Sequence, residues 1–246
     1  SKGIGKAIAE RFAKENIDIY LLASNEENLS KTTSELKSKY KVNIHYHASD
    51  LKTKEGCNSA INSIENEFHD FDTLIFSAGA TKSGDFLKQP IEDFEDGFAL
   101  KFYSAIRLSK AFWPTLSKNK GWVVSINGAM SHSPDPFFMV GGAVNAAFLN
   151  FSKALSKRGL VDGVNVNSIN PGMTSTDRLI TIIQSNADRE EISFDEAEKK
   201  ALENIGLDRF GTPEEVAELT YFLCNPNMRH LTGTEINLDG GKKTTI

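Results

Sequence analysis

A chain of 246 residues with a formal net charge of -5 and both signs interspersed has the length of one large α/β domain and can bury a sizeable core. That balance argues against nucleic acid or an anionic membrane as the main partner. No apolar run approaches a membrane span and no signal peptide is visible, while Cys57 and Cys224, far apart and without metal-ligand spacing, read as reduced thiols of a cytoplasmic protein.

In chain order, Ile4, Ile8 and Phe12 recur at helical spacing over residues 4–15. Ile17 to Ala23 is a short apolar run closed by Ser24-Asn25-Glu26, which predicts a strand and a turn. Residues 26–39 predict an exposed helix, Val42 to His47 a strand ending near Asp50, and 54–68 a helix. Thr73 to Phe76 predicts a buried strand running into Ser77-Ala78-Gly79. Residues 91–117 carry an apolar stripe fit for one long helix, followed by a strand over Trp122 to Ile126 and a helix over 140–158. Val164 to Ile169 is a strand stopped by Asn170-Pro171-Gly172, helices are expected over 195–205 and 213–224, and Glu235 to Leu238 is a final strand. No repeat or linker divides the chain. Strands alternating with helices imply a doubly wound parallel sheet with helices on both faces, in a single α/β domain over residues 1–246.

Such sheets bind ligands outside the carboxyl ends of their strands, so the loops near Ala23, Asp50, Ser77, Asn127 and Pro171 matter most. Gly3-Ile4-Gly5 opens a helix, where glycines let backbone approach a pyrophosphate and the helix terminus offers unpaired N–H donors. Alone, that motif is as readily a tight turn. Because the chain opens inside it, a strand is expected upstream of Ser1. About twenty residues on, where a dinucleotide fold places an acid for the ribose, stand Ser24 and Asn25.

Three further segments complete an ordered series: Pro171-Gly172-Met173-Thr174-Ser175-Thr176, then Arg209-Phe210-Gly211-Thr212-Pro213-Glu214-Glu215-Val216-Ala217, then Leu231-Thr232-Gly233 with Leu238-Asp239-Gly240-Gly241. From residue 1 to about 241 the chain resembles the short-chain dehydrogenase/reductase family. The resemblance implies a Rossmann-like fold whose first strand and Thr-Gly loop start lie upstream, with NADP or NAD as cofactor. It implies that Ser1, Lys2, Gly3 and Ile4 wrap the diphosphate and that Asp50 and Leu51 flank adenine. Ala78 and Gly79 would line the adenosine ribose, with Ser77 where the family has asparagine. Pro171, Gly172 and Thr176 would border nicotinamide and its phosphates. Without the family, Asp50 reads as a helix cap and Pro171-Gly172 as a strand-ending turn. Ser24 and Asn25 offer neither a carboxylate to repel a 2′-phosphate nor an arginine to attract one; the absence of an acid leans to NADP. The resemblance also implies a substrate lid over 174–208 and a homodimer or homotetramer through helices 91–117 and 140–158. Phe98, Phe102, Phe112, Phe148 and Phe151 suit either that interface or the core.

The family's catalytic tetrad is Asn, Ser, Tyr and Lys. Tyrosine gives the proton, lysine lowers its pKa, serine polarises the substrate oxygen and asparagine maintains a proton path. By the resemblance, Lys101 falls at the asparagine position, Gly128 at the serine, Gly141 at the tyrosine and Asn145 at the lysine. All four depart from the pattern, so the usual proton relay is not expected. Lys101 reads either as a cation stabilising a developing oxyanion or as a side chain snorkelling to solvent. His132, between Ser131 and Ser133, reads as an acid near neutral pH or as a solvated loop histidine. Tyr103 faces away from Lys101 and reads as core. Asn127 and Asn145 can bond a ligand but are poor acids. Lys153 reads as an exposed helix charge and Asp135, between two prolines, as loop.

Three readings follow. One is an atypical NAD(P)-dependent oxidoreductase acting on a small carbonyl or alcohol. Another is a catalytically inactive dinucleotide-binding homologue, serving as a sensor or partner subunit. The third is a non-redox lyase or isomerase on the same scaffold. Fold resemblance alone does not choose among them.

Overall fold

The computed structural model describes residues 1–79 and 81–242. Six strands alternate with nine helices among the described residues: α1 (Gly3–Lys14), β1 (Ile19–Ala23), α2 (Glu26–Lys39), β2 (Ile44–Ala48), α3 (Lys54–Glu67), β3 (Thr73–Phe76), α4 (Ile91–Gly97), α5 (Ser104–Lys118), β4 (Trp122–Ile126), α6 (Met139–Asp162), β5 (Asn165–Pro171), α7 (Asp177–Glu190), α8 (Phe194–Ile205), α9 (Pro213–Leu223) and β6 (Glu235–Leu238). Every strand pair is parallel, as a Rossmann-like single domain requires. β1 pairs with β2, and β3-β4-β5-β6 form a second run in that order.

Side-chain alternation along the strands builds the two helical layers. All of β4 is buried. Trp122, Val124 and Ile126 share one core with Ile8 and Phe12 of α1 and Val216 of α9. Val123 turns to the opposite face and packs with Ile64 of α3 and Leu108 and Phe112 of α5. Ile19 of β1 and Ile75 of β3 both pack on the α1 core, so α1 spans the two runs of sheet. Beneath α6 the core turns polar: the Ser125 and Ser168 hydroxyls stand 2.8 Å apart, and the Ser152 hydroxyl lies 3.1 Å from Ser125.

Two expectations change. The single helix over 91–117 is three kinds of backbone, because α4 and α5 are joined by a π-helical turn over Phe98–Tyr103. An apolar stripe marks the buried face without marking a change of pitch. The wider turn leaves Lys101 buried and Tyr103 half exposed, so Tyr103 is surface and not core. The five phenylalanines also divide: Phe112 and Phe148 are core, whereas Phe98, Phe102 and Phe151 are half-buried and meet edge to face. Within 174–208, α7 and α8 form a hairpin with a small core of its own, built on Leu179, Ile183, Ala187, Ala197 and Ala201. No helix among the described residues is long and apolar enough to cross a membrane.

Candidate cofactor and catalytic site

The carboxyl ends of β1, β2, β3, β4 and β5 carry the candidate residues. Gly3 opens α1 at φ +49°, a conformation glycine adopts without strain, and Lys2 at the N-cap makes no side-chain cap. The first N–H groups of α1 thus remain available to an anion. A Cβ on Gly3 would stand 3.2 Å from Thr176 Cγ2, and the Ser77 hydroxyl faces Gly5, so the glycine loop, the β3 end and the β5 loop converge. The Thr32 hydroxyl donates to Ser1 O at 3.0 Å and ties α2 to the same loop.

The remaining candidates surround this point. Ile4 starts α1 and packs on its core. Ser24 and Asn25 are exposed, and Asn25 Oδ1 accepts from Asn28 N at 2.8 Å to cap α2. Asp50 is exposed, but Thr53 caps α3, accepting from Gly56 N at 2.9 Å; the cap reading of Asp50 gives way. Leu51 is buried beside Cys57, whose thiol donates to Leu51 O at 3.2 Å. Ala78 and Gly79 are exposed at the β3 end. Pro171 ends β5 opposite Leu238, and Gly172 N donates to Leu238 O at 3.0 Å. An uncapped glycine-bordered helix terminus, with no acid at Ser24 or Asn25, is a donor set that fits a dinucleotide.

Lys101, Asn145, Gly128 and Gly141 sit in closely packed surroundings. Lys101 Nζ donates to Asn127 O at 2.7 Å and to Asn145 Oδ1 at 2.6 Å. Burial, reinforced by the Arg178 charge, lowers its pKa to about 7. Lys101 does not snorkel. Gly128 sits at φ +148°, and a Cβ there would be 2.8 Å from Asn145 Nδ2, so the asparagine amide takes the room of a serine side chain. A Cβ on Gly141 would stand 2.0 Å from the Phe138 ring, which covers the place where a tyrosine would begin.

Arg178, in the first turn of α7, crosses to the β3 loop. Its Nη1 donates to Gly79 O at 3.1 Å, and its Nη2 donates to Thr81 O at 3.1 Å and Thr81 Oγ1 at 2.9 Å. The guanidinium carbon lies 5.8 Å from the Phe138 ring centroid. Arg178 and Phe138 were not legible in the sequence; proximity to Thr176 and Gly141 was their only signal. His132 stands apart, hydrogen-bonded to Glu235. It lines a cavity of about 570 Å³ between α6 and β6 with Ser131, Asn150 and Lys153. Lys153 is exposed and donates to Gly233 O. Cys57 and Cys224 are buried free thiols, and no cluster of three or more His, Cys, Asp or Glu suited to a metal occurs among the described residues.

Residues 1–243 match the family model described as enoyl-(acyl carrier protein) reductase. The chain belongs to the short-chain dehydrogenase/reductase family. At that level it is an NAD(P)-dependent oxidoreductase. It is 28% identical to a 3-oxoacyl-[acyl-carrier-protein] reductase of Aquifex aeolicus over 98% of this chain and 93% of that protein. It is 27% identical to an NADPH-dependent reductase of Bacillus subtilis over 100% of this chain and 96% of the relative. The structure of L-sorbose reductase from Gluconobacter frateurii, complexed with NADPH and L-sorbose, superposes with a TM-score of 0.92 at 28% identity, covering 100% of this chain and 94% of that one.

Proposed function

We propose that this protein is an atypical NADPH-dependent reductase of small carbonyl compounds in which Lys101 supplies the proton. The observation that carries the reading is the position of Lys101 Nζ, bonded to Asn145 at the lysine position and to Asn127 O beside the serine position. A lysine held near pKa 7 is matched to proton transfer at neutral pH. Bound NADPH supplies the hydride to the carbonyl carbon. Lys101 gives its proton to the carbonyl oxygen as the C=O π bond breaks, becomes a neutral amine, and regains a proton from water. Asn145 and the Asn127 carbonyl hold Nζ in place throughout. NADP is favoured over NAD by the absence of an acid at Ser24 and Asn25, by the exposed Lys2, and by relatives named for NADPH. The α7–α8 hairpin serves as the substrate lid.

A homodimer or homotetramer through α5 and α6 belongs to the same proposal. Leu160 and Val161, 70% and 78% exposed at the end of α6, are the apolar groups such an interface would cover.

The test is calorimetric binding of the four nicotinamide dinucleotides, followed by NADPH consumption over a panel of carbonyl compounds, for the wild type and Lys101→Met. A 10²–10⁴-fold loss of kcat/KM in Lys101→Met, with cofactor affinity preserved, is expected. Binding without consumption favours the second reading, a non-catalytic dinucleotide-binding sensor or partner subunit; the Phe138 ring over Gly141 is the observation on its side. No binding of any dinucleotide sinks both.

A further inference from the structure

We infer that the substrate is a small oxo acid whose carboxylate is held by Arg178 while its carbonyl oxygen meets Lys101. The reduction rests on the reading above; the anion site stands without it.

Two cations from opposite walls meet at Gly79. Arg178 Nη1 donates to its carbonyl at 3.1 Å, and Lys101 Nζ lies 3.8 Å from where a Cβ on Gly79 would be. Every acceptor these two side chains have among the described residues is a neutral oxygen: Asn127 O, Asn145 Oδ1, Gly79 O, Thr81 O and Thr81 Oγ1. The Lys101 ammonium is buried among neutral acceptors, which is costly, and either loss of its proton or arrival of an anion relieves the cost. Arg178 is exposed as a residue, yet desolvation of its guanidinium lowers its pKa, and an arginine keeps its proton.

Donors remain for that anion. The ammonium has three N–H and uses two; the guanidinium has five and uses three. Among the described residues a Cβ on Gly79 would meet only Lys101 within 4 Å, so the ammonium faces this opening beside the cofactor residues Ala78 and Gly79.

The surroundings limit the size of the ligand. The Phe138 ring, which fills the room above Gly141, also lies under Arg178. The neighbouring Phe137 ring lies 4.3 Å from the Arg189 guanidinium carbon at the far end of α7. Two arginine–aromatic contacts thus hold the lid helix against the 137–138 segment. The proposed acid would sit between these walls and the cations. The one competing anion is a phosphate of the dinucleotide itself.

Calorimetry on the whole protein separates these sources. The ligands are 2-oxobutanoate, 3-oxobutanoate and their methyl esters, each with and without saturating NADP⁺, together with NADPH alone. At least one acid should bind tenfold or more tightly than its ester. Arg178→Gln should remove that difference while changing NADPH affinity less than threefold. Arg178→Lys keeps the charge but loses the fork, and guards against a lid unseated by glutamine. It should bind the acid more weakly than wild type and still better than the ester. Equal binding of acid and ester, or no binding of either acid, overturns the proposal. So does an Arg178→Gln variant that loses NADPH as severely as acid, because the anion is then a cofactor phosphate. A wild type that binds the acid but not NADPH keeps the anion site and sinks the reductase reading.

Discussion

Lys101 Nζ donates to Asn145 Oδ1 across 2.6 Å, joining the π turn between α4 and α5 to α6. A buried pair in direct contact should show coupling. Lys101→Asn alone leaves Asn145 without its donor, and Asn145→Lys alone opposes two buried ammonium groups. The exchanged double variant should be more stable than the sum of the two singles implies, by roughly 0.5–3 kcal/mol in a double-mutant cycle of urea unfolding. Additive singles would show that the two side chains do not depend on each other.

The protonation of Lys101 sets both a stability slope and a rate profile. Burial holds its folded pKa at about 7, below the ordinary lysine value of 10.5, and the Arg178 charge reinforces the depression. Between those values the unfolded chain binds more protons, so stability rises with pH from about 7 to 10.5 and levels off on either side. Carbonyl reduction needs the protonated lysine and should decline above pH about 7, while the reverse oxidation should rise. Lys101→Met should flatten that segment of the stability curve and remove the limb from any residual activity. Denaturant midpoints and kcat/KM across pH 5–10 read both effects, and an unchanged profile in the variant would exclude Lys101 as the titrating group.

Side chains added at Gly141 and Gly128 meet occupied space. Gly141→Tyr drives a side chain into the Phe138 ring, and Gly128→Ser adds one at φ +148° against Asn145 Nδ2. Each should cost roughly 1–3 kcal/mol, by overpacking at the first site and by strain at the second. Combining Gly141→Tyr with Phe138→Ala empties the occupied volume and should recover part of the loss. Melting temperatures of the two singles and the double decide this. A Gly141→Tyr variant as stable as wild type would mean that the Phe138 ring moves aside freely.

The parallel strands were legible because strands buried on both faces read as apolar runs, and the loops at their ends carried the ordered motifs. Val123 and Val124 face opposite layers, yet both appear in sequence only as members of one apolar run. Tertiary contact was the hidden part. Nothing local places Phe138 over Gly141 or sends Arg178 of α7 to Gly79 and Thr81. The sequence left Lys101 open between pocket and solvent because the π turn that buries it has no signature in the apolar stripe. Asp50 reads in sequence as a cap of α3, and only the bond from Gly56 N shows that Thr53 is the cap.

The Arg209-to-Ala217 motif has a structural role that stability can measure. Thr212 Oγ1 accepts from Glu215 N at 3.2 Å while Glu215 Oε2 accepts from Thr212 N at 2.7 Å, a reciprocal cap on α9. Arg209 closes on the same carboxylate at 2.8 Å, and these bonds hold Glu215 at a pKa of about 2. Thr212→Ala should cost about 1 kcal/mol, or roughly 2–4 °C in Tm for a chain this long. Because the folded pKa of Glu215 lies below the ordinary glutamate value of 4.5, its contribution is present above that pH and fades as pH falls toward 2. Its exposed side chain keeps that contribution small. A Thr212→Ala melting curve unchanged at pH 7 would remove the cap from the account.

Cofactor choice should turn on Lys2. It is an exposed cation at the start of α1, and the loop carrying it is fastened to α2 by the Thr32–Ser1 hydrogen bond. At the end of β1, Ser24 and Asn25 bring no charge, and the Asn25 carboxamide oxygen is occupied by Asn28 N. A 2′-phosphate near that junction would find Lys2 as its cation, with a charge-assisted bond worth roughly 1.5–3 kcal/mol. Lys2→Ala should therefore weaken NADPH by at least tenfold and NADH by no more than twofold. Raising salt should erode wild-type NADPH affinity more than that of the variant. Equal losses for NADPH and NADH would move Lys2 from the 2′-phosphate to the diphosphate that both dinucleotides share.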